Sequence, residues 1–426
     1  MIKLNLRKAR LKEDIMLYQD DVKRCHGYLH EKTGLGSDFV GWVKWPVDYD
    51  KKEFKKIVDL PKKLKGKYNT VLVCGIGGSY LGARAAIEMI NGLYPDSGIE
   101  VIYVGNTFSN TYISQVLRYI RNKDVVMNVI SKSGTTTETA VSFRIFKDFL
   151  ENKYGEKAKE RIIVTTSKDH GTLRAMANEN GYESFTIPDD IGGRYSVLTA
   201  VGLVPMALCG IDVSEVMKGA KKAYDDLKTD KLEKNQAYQY AVARRILDKS
   251  GYDSEMFVTY HLQLQNVAEW WKQLFGESGG KDGKGVLPTS ACFSTDLHSL
   301  GQFIQDGKKM LYETIFYVDK MKEDVTFPND EENVDEMNYL SGKKLSWVNK
   351  MAMESTISAH SDDGGVPNIA IHLEDNSPFS FGYMAYFFFK ACGMTCYLLG
   401  INPFNQPGVE VYKKKMFELL GKNKKN

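Results

Sequence analysis

Val125-Val126-Met127-Asn128-Val129-Ile130 runs into Ser131-Lys132-Ser133-Gly134-Thr135-Thr136-Thr137-Glu138-Thr139, and then into Ala140-Val141-Ser142-Phe143-Arg144-Ile145-Phe146. The first part is an apolar run that reads as a buried strand, and the last reads as a helix. Hydroxyls and a lysine therefore crowd a strand-to-helix turn. Helix N-termini carry unpaired N–H groups and the positive end of the dipole, so anions are favoured there. Hydroxyls add hydrogen bonds to phosphate oxygens. The stretch predicts a phosphate cradle without a nucleotide motif, and so a small phosphorylated substrate. Thr135-x-x-Glu138 also fits a capping box, which makes simple helix capping the plain alternative.

Around this turn, from about residue 70 to 190, strand and helix patterns alternate. Apolar strand candidates are Thr70–Cys74, Val101–Val104, Val125–Ile130, Ile162–Thr165 and Ser184–Ile187. Helix candidates between them are Tyr80–Asn91, Thr111–Tyr119, Thr136–Glu151 and Thr172–Glu179. This alternation predicts an α/β fold with a doubly wound parallel sheet of flavodoxin-like type. Ligands of such sheets bind beyond the carboxyl ends of the strands, where Ser131–Thr136 falls. A helical connection follows, from about Ser196 to Asp248. A second alternating unit has strand candidates Glu255–Thr259, Gly285–Thr289, Tyr312–Val318, Asn368–His372 and Thr395–Leu399, with a helix over Leu262–Phe275. The expected divisions are an N-terminal helical arm (1–50), a first α/β domain (51–205), a second (206–402), and a C-terminal segment and helix (403–426). Met321 to Gly342 reads as a polar surface excursion. The tail from Tyr412 reads as a lysine-rich helix that frays over 421–426.

Composition narrows the function classes. The 426 residues carry 57 basic and 54 acidic side chains, a net charge of +3 that is too balanced to imply a nucleic-acid or membrane partner. Hydrophobic residues at 43% and charged residues at 26% fit an ordinary globular protein with ample core. The scattered cysteines Cys25, Cys74, Cys209, Cys292, Cys392 and Cys396 read as reduced buried thiols, and a cytoplasmic protein is expected. The N-terminal residues lack the apolar core of a signal peptide. Phe381 to Ile401 is membrane-like in hydropathy. Lys390 at its middle and the glycines at 393 and 400 favour a buried helix followed by a core strand.

Further motifs converge on proton-transfer chemistry. Gly75-Ile76-Gly77-Gly78-Ser79-Tyr80-Leu81-Gly82 follows the first strand, but Tyr80 occupies the sixth fingerprint position and the expected acidic residue after the next strand is missing. The glycines suit close approach of a sugar or phosphate to the backbone, or merely a tight packing turn. Gly276-Glu277-Ser278-Gly279-Gly280 matches a nucleophile elbow literally, but a helix precedes it where a strand is needed. Glu277 at a helix C-terminus suits a general base, since the dipole there disfavours the carboxylate; a solvated glutamate is the alternative. His298, in Ser294–Gln302, is a proton shuttle or a capping residue. Arg194, in Gly192–Ser196, is an oxyanion stabiliser or an interdomain ion-pair partner. Lys413 ends Asn405–Lys413 and can point back towards such a site.

Taken together, Gly75–Gly82, Ser131–Thr139, Gly192–Ser196, Gly276–Lys281, His298–Gly301 and Gln406–Lys413 resemble the phosphoglucose (glucose-6-phosphate) isomerase family, in its order and over nearly the whole chain. The resemblance implies two sugar-isomerase domains and the interconversion of glucose 6-phosphate and fructose 6-phosphate, in glycolysis and gluconeogenesis. It implies no cofactor and no metal. It gives Glu277 the role of base through a cis-enediol and Arg194 that of enediolate stabiliser. His298 and Lys413 become the ring-opening pair. The histidine comes from a partner subunit, so a homodimer is implied, with Glu138 orienting that histidine. Ser131, Ser133 and Thr136 resemble phosphate ligands, with Lys132 and Thr135 beside them. Gln406 and Gly77, Gly78 and Ser79 fall on the sugar side. Gly134 and Pro407 stand where many members carry a bulkier residue and tryptophan. A broader sugar-phosphate isomerase, accepting mannose 6-phosphate as well, uses the same groups. A non-catalytic phosphosugar-binding module needs the turn but not the trio Glu277, Arg194 and His298.

Overall fold

The computed structural model describes residues 1–422, so the end of the fraying tail, 423–426, lies outside the described residues. Ten strands are formed among them: β1 Ile2–Asn5, β2 Thr70–Cys74, β3 Glu100–Val104, β4 Val125–Ile130, β5 Ile162–Thr166, β6 Glu183–Thr186, β7 Ser254–Thr259, β8 Leu287–Cys292, β9 Leu311–Lys320 and β10 Asn368–Asp375. They make two sheets, in the orders β3-β2-β4-β5-β6 and β1-β10-β9-β7-β8.

The first sheet is parallel throughout. Successive side chains leave opposite faces of a strand. In β2, Val71 and Val73 enter the large core shared with the second sheet, while Leu72 and Cys74 enter a separate core with Phe143, Phe146 and Leu150 of helix Thr137–Tyr154. Helices cover both faces, so β2 and β4 are buried at every position and are apolar but for Thr70 and Asn128, without alternation. The strand order is the flavodoxin-like one, with β2 as the first strand.

The second sheet repeats that order through β8, β7, β9 and β10, all parallel. Its fifth position differs from expectation. Thr395–Leu399, read as a strand, is the end of helix Pro378–Leu398. The vacant edge is filled by β1, antiparallel to β10 with Ile2 opposite Leu373 and Leu4 opposite Ile371. The N-terminal arm is thus strand plus helix, the latter over Gln19–His30. β8 starts two residues later than expected because Gly285, at φ 93°, belongs to the preceding turn.

Helix Pro378–Leu398 accounts for the misread run. Ser377 caps it by accepting from the Ser380 N–H, with Pro378 in its first turn. It is apolar on every side and buried from Ser380 to Tyr397, as a helix between layers must be. It ends only at Gly400, whose φ of 70° allows the Gly400 N–H to reach the Tyr397 carbonyl and the Ile401 N–H the Cys396 carbonyl. No helix among the described residues is long and apolar enough to cross a membrane. All six cysteines are buried and unpaired.

Candidate active site

A cleft of about 470 Å³ opens beyond the carboxyl ends of β2 and β4, where the connections of the first sheet diverge. Its walls come from the turns after β2 and β4, the Gly193–Tyr195 turn, helix Gln265–Gly279 and helix Gly408–Leu419.

The turn after β4 is the hydroxyl cradle. The Gly134 N–H donates to Ser131 Oγ at 3.0 Å and the Thr135 N–H to Ser133 Oγ at 3.1 Å. Ser133 Oγ and Thr135 Oγ1 lie 3.0 Å apart. Gly134 has φ 79°, and a Cβ there would meet the Leu173 backbone at 2.5 Å, so this turn requires glycine. The N-cap of helix Thr137–Tyr154 is Thr136, one residue after Thr135, and makes no side-chain capping bond, so the Thr135-x-x-Glu138 capping box is not formed. Thr136 lines the cleft, its hydroxyl uncommitted to the helix. Lys132 lines the cleft with its stem but turns its ammonium to the Asp189 carbonyl at 2.9 Å.

Opposite the cradle, Gly77-Gly78-Ser79 form a single 3-10 turn. A Cβ on Gly78 would sit 2.2 Å from the Gly193 carbonyl oxygen. The glycine is there because two turns touch, and that contact sets Arg194 on the cleft wall. Arg194 is only 3% exposed. Its Nε donates to Ser278 Oγ at 2.7 Å, and its Nη2 to the Pro403 and Asn405 carbonyls at 2.7 and 3.2 Å. Its Nη1 reaches Gln406 Oε1 at 2.5 Å and Glu277 Oε2 at 3.2 Å. A planar guanidinium with five donors can hold all of these in one orientation. The ion-pair reading of Arg194 is realised inside the cleft, where it meets Glu277 of the helix that follows β7 of the second sheet.

Glu277 stands in the last turn of helix Gln265–Gly279, with one oxygen on Arg194 and the other 3.4 Å from Gln273 Nε2. The sequence motifs do not single out Gln273. Its i, i+4 relation to Glu277 is the signal that could have found it. Its Oε1 is buried without a partner among the described residues. Thr139 closes the Ser131–Thr139 motif without an assigned role; its hydroxyl is equally buried and unpartnered among the described residues. Lys413 lines the cleft from helix Gly408–Leu419 and donates to Glu410 at 2.9 Å. Glu138 lines it from the first turn of its helix.

One expected member is elsewhere. His298 is exposed at the start of helix Leu297–Asp306 and does not line this chain's cleft. The other singled-out groups, Gly77, Gly78, Ser79, Ser131, Lys132, Ser133, Thr135, Thr136, Glu138, Arg194, Glu277, Gln406 and Lys413, all do.

The fold and sequence have close relatives. The chain is 53% identical over 412 residues to the glucose-6-phosphate isomerase of Staphylococcus saprophyticus, covering 96% of this chain and 93% of that protein. It is 53% identical over 407 residues to that of Staphylococcus aureus strain Newman, covering 95% and 92%. A hypothetical protein from Thermus thermophilus superposes with a TM-score of 0.91 at 27% identity, over 99% of this chain and all of that one. A glucose-6-phosphate isomerase from Chlamydia trachomatis shares the fold at a TM-score of 0.78 and 20% identity, over 96% of this chain and 84% of that one. The phosphoglucose isomerase family pattern matches residues 52–426, and with these relatives it places the chain in the phosphoglucose isomerase family.

Proposed function

We propose that this cleft binds glucose 6-phosphate and fructose 6-phosphate, with Glu277 moving a proton between C1 and C2. The chain catalyses this reversible aldose–ketose isomerisation, a step of glycolysis and gluconeogenesis. The observation that carries the reading of the site is the Glu277–Arg194 pair, at 3.2 Å, facing a hydroxyl-lined helix N-terminus across one cleft. The phosphate docks on Ser131, Ser133, Thr135 and Thr136, where backbone N–H groups and the helix dipole favour it. Its binding energy then holds C1 and C2 beside the carboxylate. Glu277 takes the proton from C2 of the aldose, or C1 of the ketose, and returns it to the neighbouring carbon through a cis-enediol. Arg194, held in place by Ser278, Pro403 and Asn405, stabilises the enediolate as a fixed positive charge, with an Nη1 N–H passing from Glu277 to the enediolate oxygen. Gln406, Gly77, Gly78 and Ser79 face the sugar, and Lys132 braces the cradle. The scheme uses no metal and no cofactor.

Ring opening falls to Lys413 and to His298 of the partner subunit, oriented by Glu138 in a homodimer. The exposure of His298, outside its own chain's cleft, supports this arrangement. A mixture of inactive His298→Ala and Glu277→Gln subunits should regain activity on subunit exchange, because one of the two mixed sites is intact. No recovery, with heterodimers verified by native mass spectrometry, would refute the shared site.

The defining experiment is a coupled assay for glucose 6-phosphate formation from fructose 6-phosphate in buffer containing EDTA. Turnover there is expected; activity restored only by a divalent ion would overturn the metal-free route. The cradle makes a separate prediction. Ser133→Ala and Thr136→Ala should each raise KM about 10- to 100-fold, since a hydrogen bond to a charged group contributes about 1.5–3 kcal/mol. With kcat little changed, the loss would be uniform binding. An unchanged KM in both variants would move the phosphate elsewhere.

A further inference from the structure

Lys281 lies just beyond helix Gln265–Gly279, half-buried, and takes no part in the reaction above. Its ammonium donates to the Ser278 carbonyl at 3.0 Å and to the Asn402 carbonyl at 2.6 Å. Those partners are shared with the catalytic cluster. Ser278 also receives Arg194 through its hydroxyl, and the segment after Asn402 supplies the Pro403 and Asn405 carbonyls and the Gln406 side chain to the same guanidinium. Lys281 and Arg194 thus grip one residue and one loop from two sides. A lysine bonding carbonyls at the end of a helix also offsets the negative end of the dipole.

We propose that Lys281 is a positioning residue for the isomerisation, fastening the helix end that bears Glu277 to the 402–406 loop that holds Arg194 and Gln406. The proposal rests on the reading of Glu277 and Arg194 given above. It carries a pH dependence, because the grip is strongest while the amine is charged. The groups facing it are Arg194 from the Gly193–Tyr195 turn, Glu277 from the preceding helix, and Cys392 and Cys396 from helix Pro378–Leu398. Burial first, and then Arg194, lower its pKa to about 8, against the opposing pull of the thiols and Glu277. Raising the pH through that value removes the charge and weakens both bonds, so turnover should fall on the alkaline side.

The test compares kcat, KM and the kcat–pH profile of the wild type, Lys281→Met, Lys281→Arg and Glu277→Gln as full-length proteins. Lys281→Met should lose about 10- to 100-fold in kcat at pH 7, the scale of an ångström-sized misplacement of reacting groups, with KM within about three-fold. It should also lose the alkaline fall near pH 8. Lys281→Arg keeps its charge throughout this range and should recover most of kcat, with the alkaline fall displaced upwards. Wild-type kcat in Lys281→Met overturns the proposal, and so does an alkaline limb unmoved in both variants. If Lys281→Met does not fold, the limb of Lys281→Arg decides: displacement supports the proposal and coincidence with wild type refutes it. Glu277→Gln separates the two levels. Its inactivity beside a fully active Lys281→Met sinks only the lysine, whereas its activity sinks the reading of the site.

Discussion

Glu277→Gln should lower kcat by about 10²–10⁴-fold, the contribution expected of a general base, while leaving KM within a few-fold. The amide keeps the size and one acceptor oxygen of the carboxylate, so the contact with Arg194 at 3.2 Å can persist in weakened form. Arg194 would still be held by Ser278, Pro403, Asn405 and Gln406, so the cleft should survive. The phosphate cradle sits on a different element, after β4, and should bind as before. What the amide cannot do is accept the proton from carbon. Steady-state kinetics should therefore show a collapse in kcat, and substrate incubated in heavy water should stop exchanging its C2 proton. Turnover within about ten-fold of wild type would mean that another group is the base.

Lys390→Met should make the folded state more stable near neutral pH and below, by as much as several kcal/mol. Lys390 is fully buried in helix Pro378–Leu398. Its ammonium reaches His30 Nε2 at 2.6 Å and lies 4.9 Å from the centre of the Tyr238 ring. No carboxylate pairs with it among the described residues. Burial lowers its pKa from the usual 10.5 to about 7. The same burial, with Lys390 and the stacked His26 beside it, brings His30 down to about 2. Between pH 10.5 and 7 the unfolded chain holds a proton that the folded chain does not, so stability falls as pH falls through that window. Below about 7 the cost is constant, at most about 5 kcal/mol for a shift of this size. Methionine fills a similar volume and carries no charge to bury. Urea unfolding should show a large gain for the variant at pH 6 and a small one at pH 10. Equal gains at both would show that packing, and not desolvation of the charge, sets the difference.

Much of this architecture could be read from local pattern, because the first sheet is buried on both faces. β2 and β4 coincide with their expected bounds, as mostly apolar, fully buried runs ended by Gly75 and by Ser131. The cradle was legible for the same reason: its parts are consecutive. β1 was not legible. Ile2–Asn5 is a four-residue edge strand whose alternating pattern gives no sign of its distant partner. Thr395–Leu399 misled because Tyr397 and the leucines beside it suit a strand as well as a helix, and burial on all sides decided for the helix. Arg194 and Glu277 are 83 residues apart, and nothing in their spacing announces a salt bridge. Their roles came from resemblance and their contact from the fold. Gln273 needed the helix register to be taken one turn back from Glu277.

The pairing of β1 with β10 also fixes an order of events. On a ribosome, Ile2–Asn5 is made long before its partner around Ile371, which emerges only after the whole first sheet has been synthesised. At 5–20 residues per second, the strand must wait about 20–75 s, exposed or shielded by other factors, before it can be zipped in. Helix Pro378–Leu398, which packs against helices Gln19–His30, Val213–Asp226 and Gln236–Lys249, arrives later still. The first sheet has all five strands by Thr186 and can form during translation. The second is closed only when β1 meets β10, with Ile2 opposite Leu373.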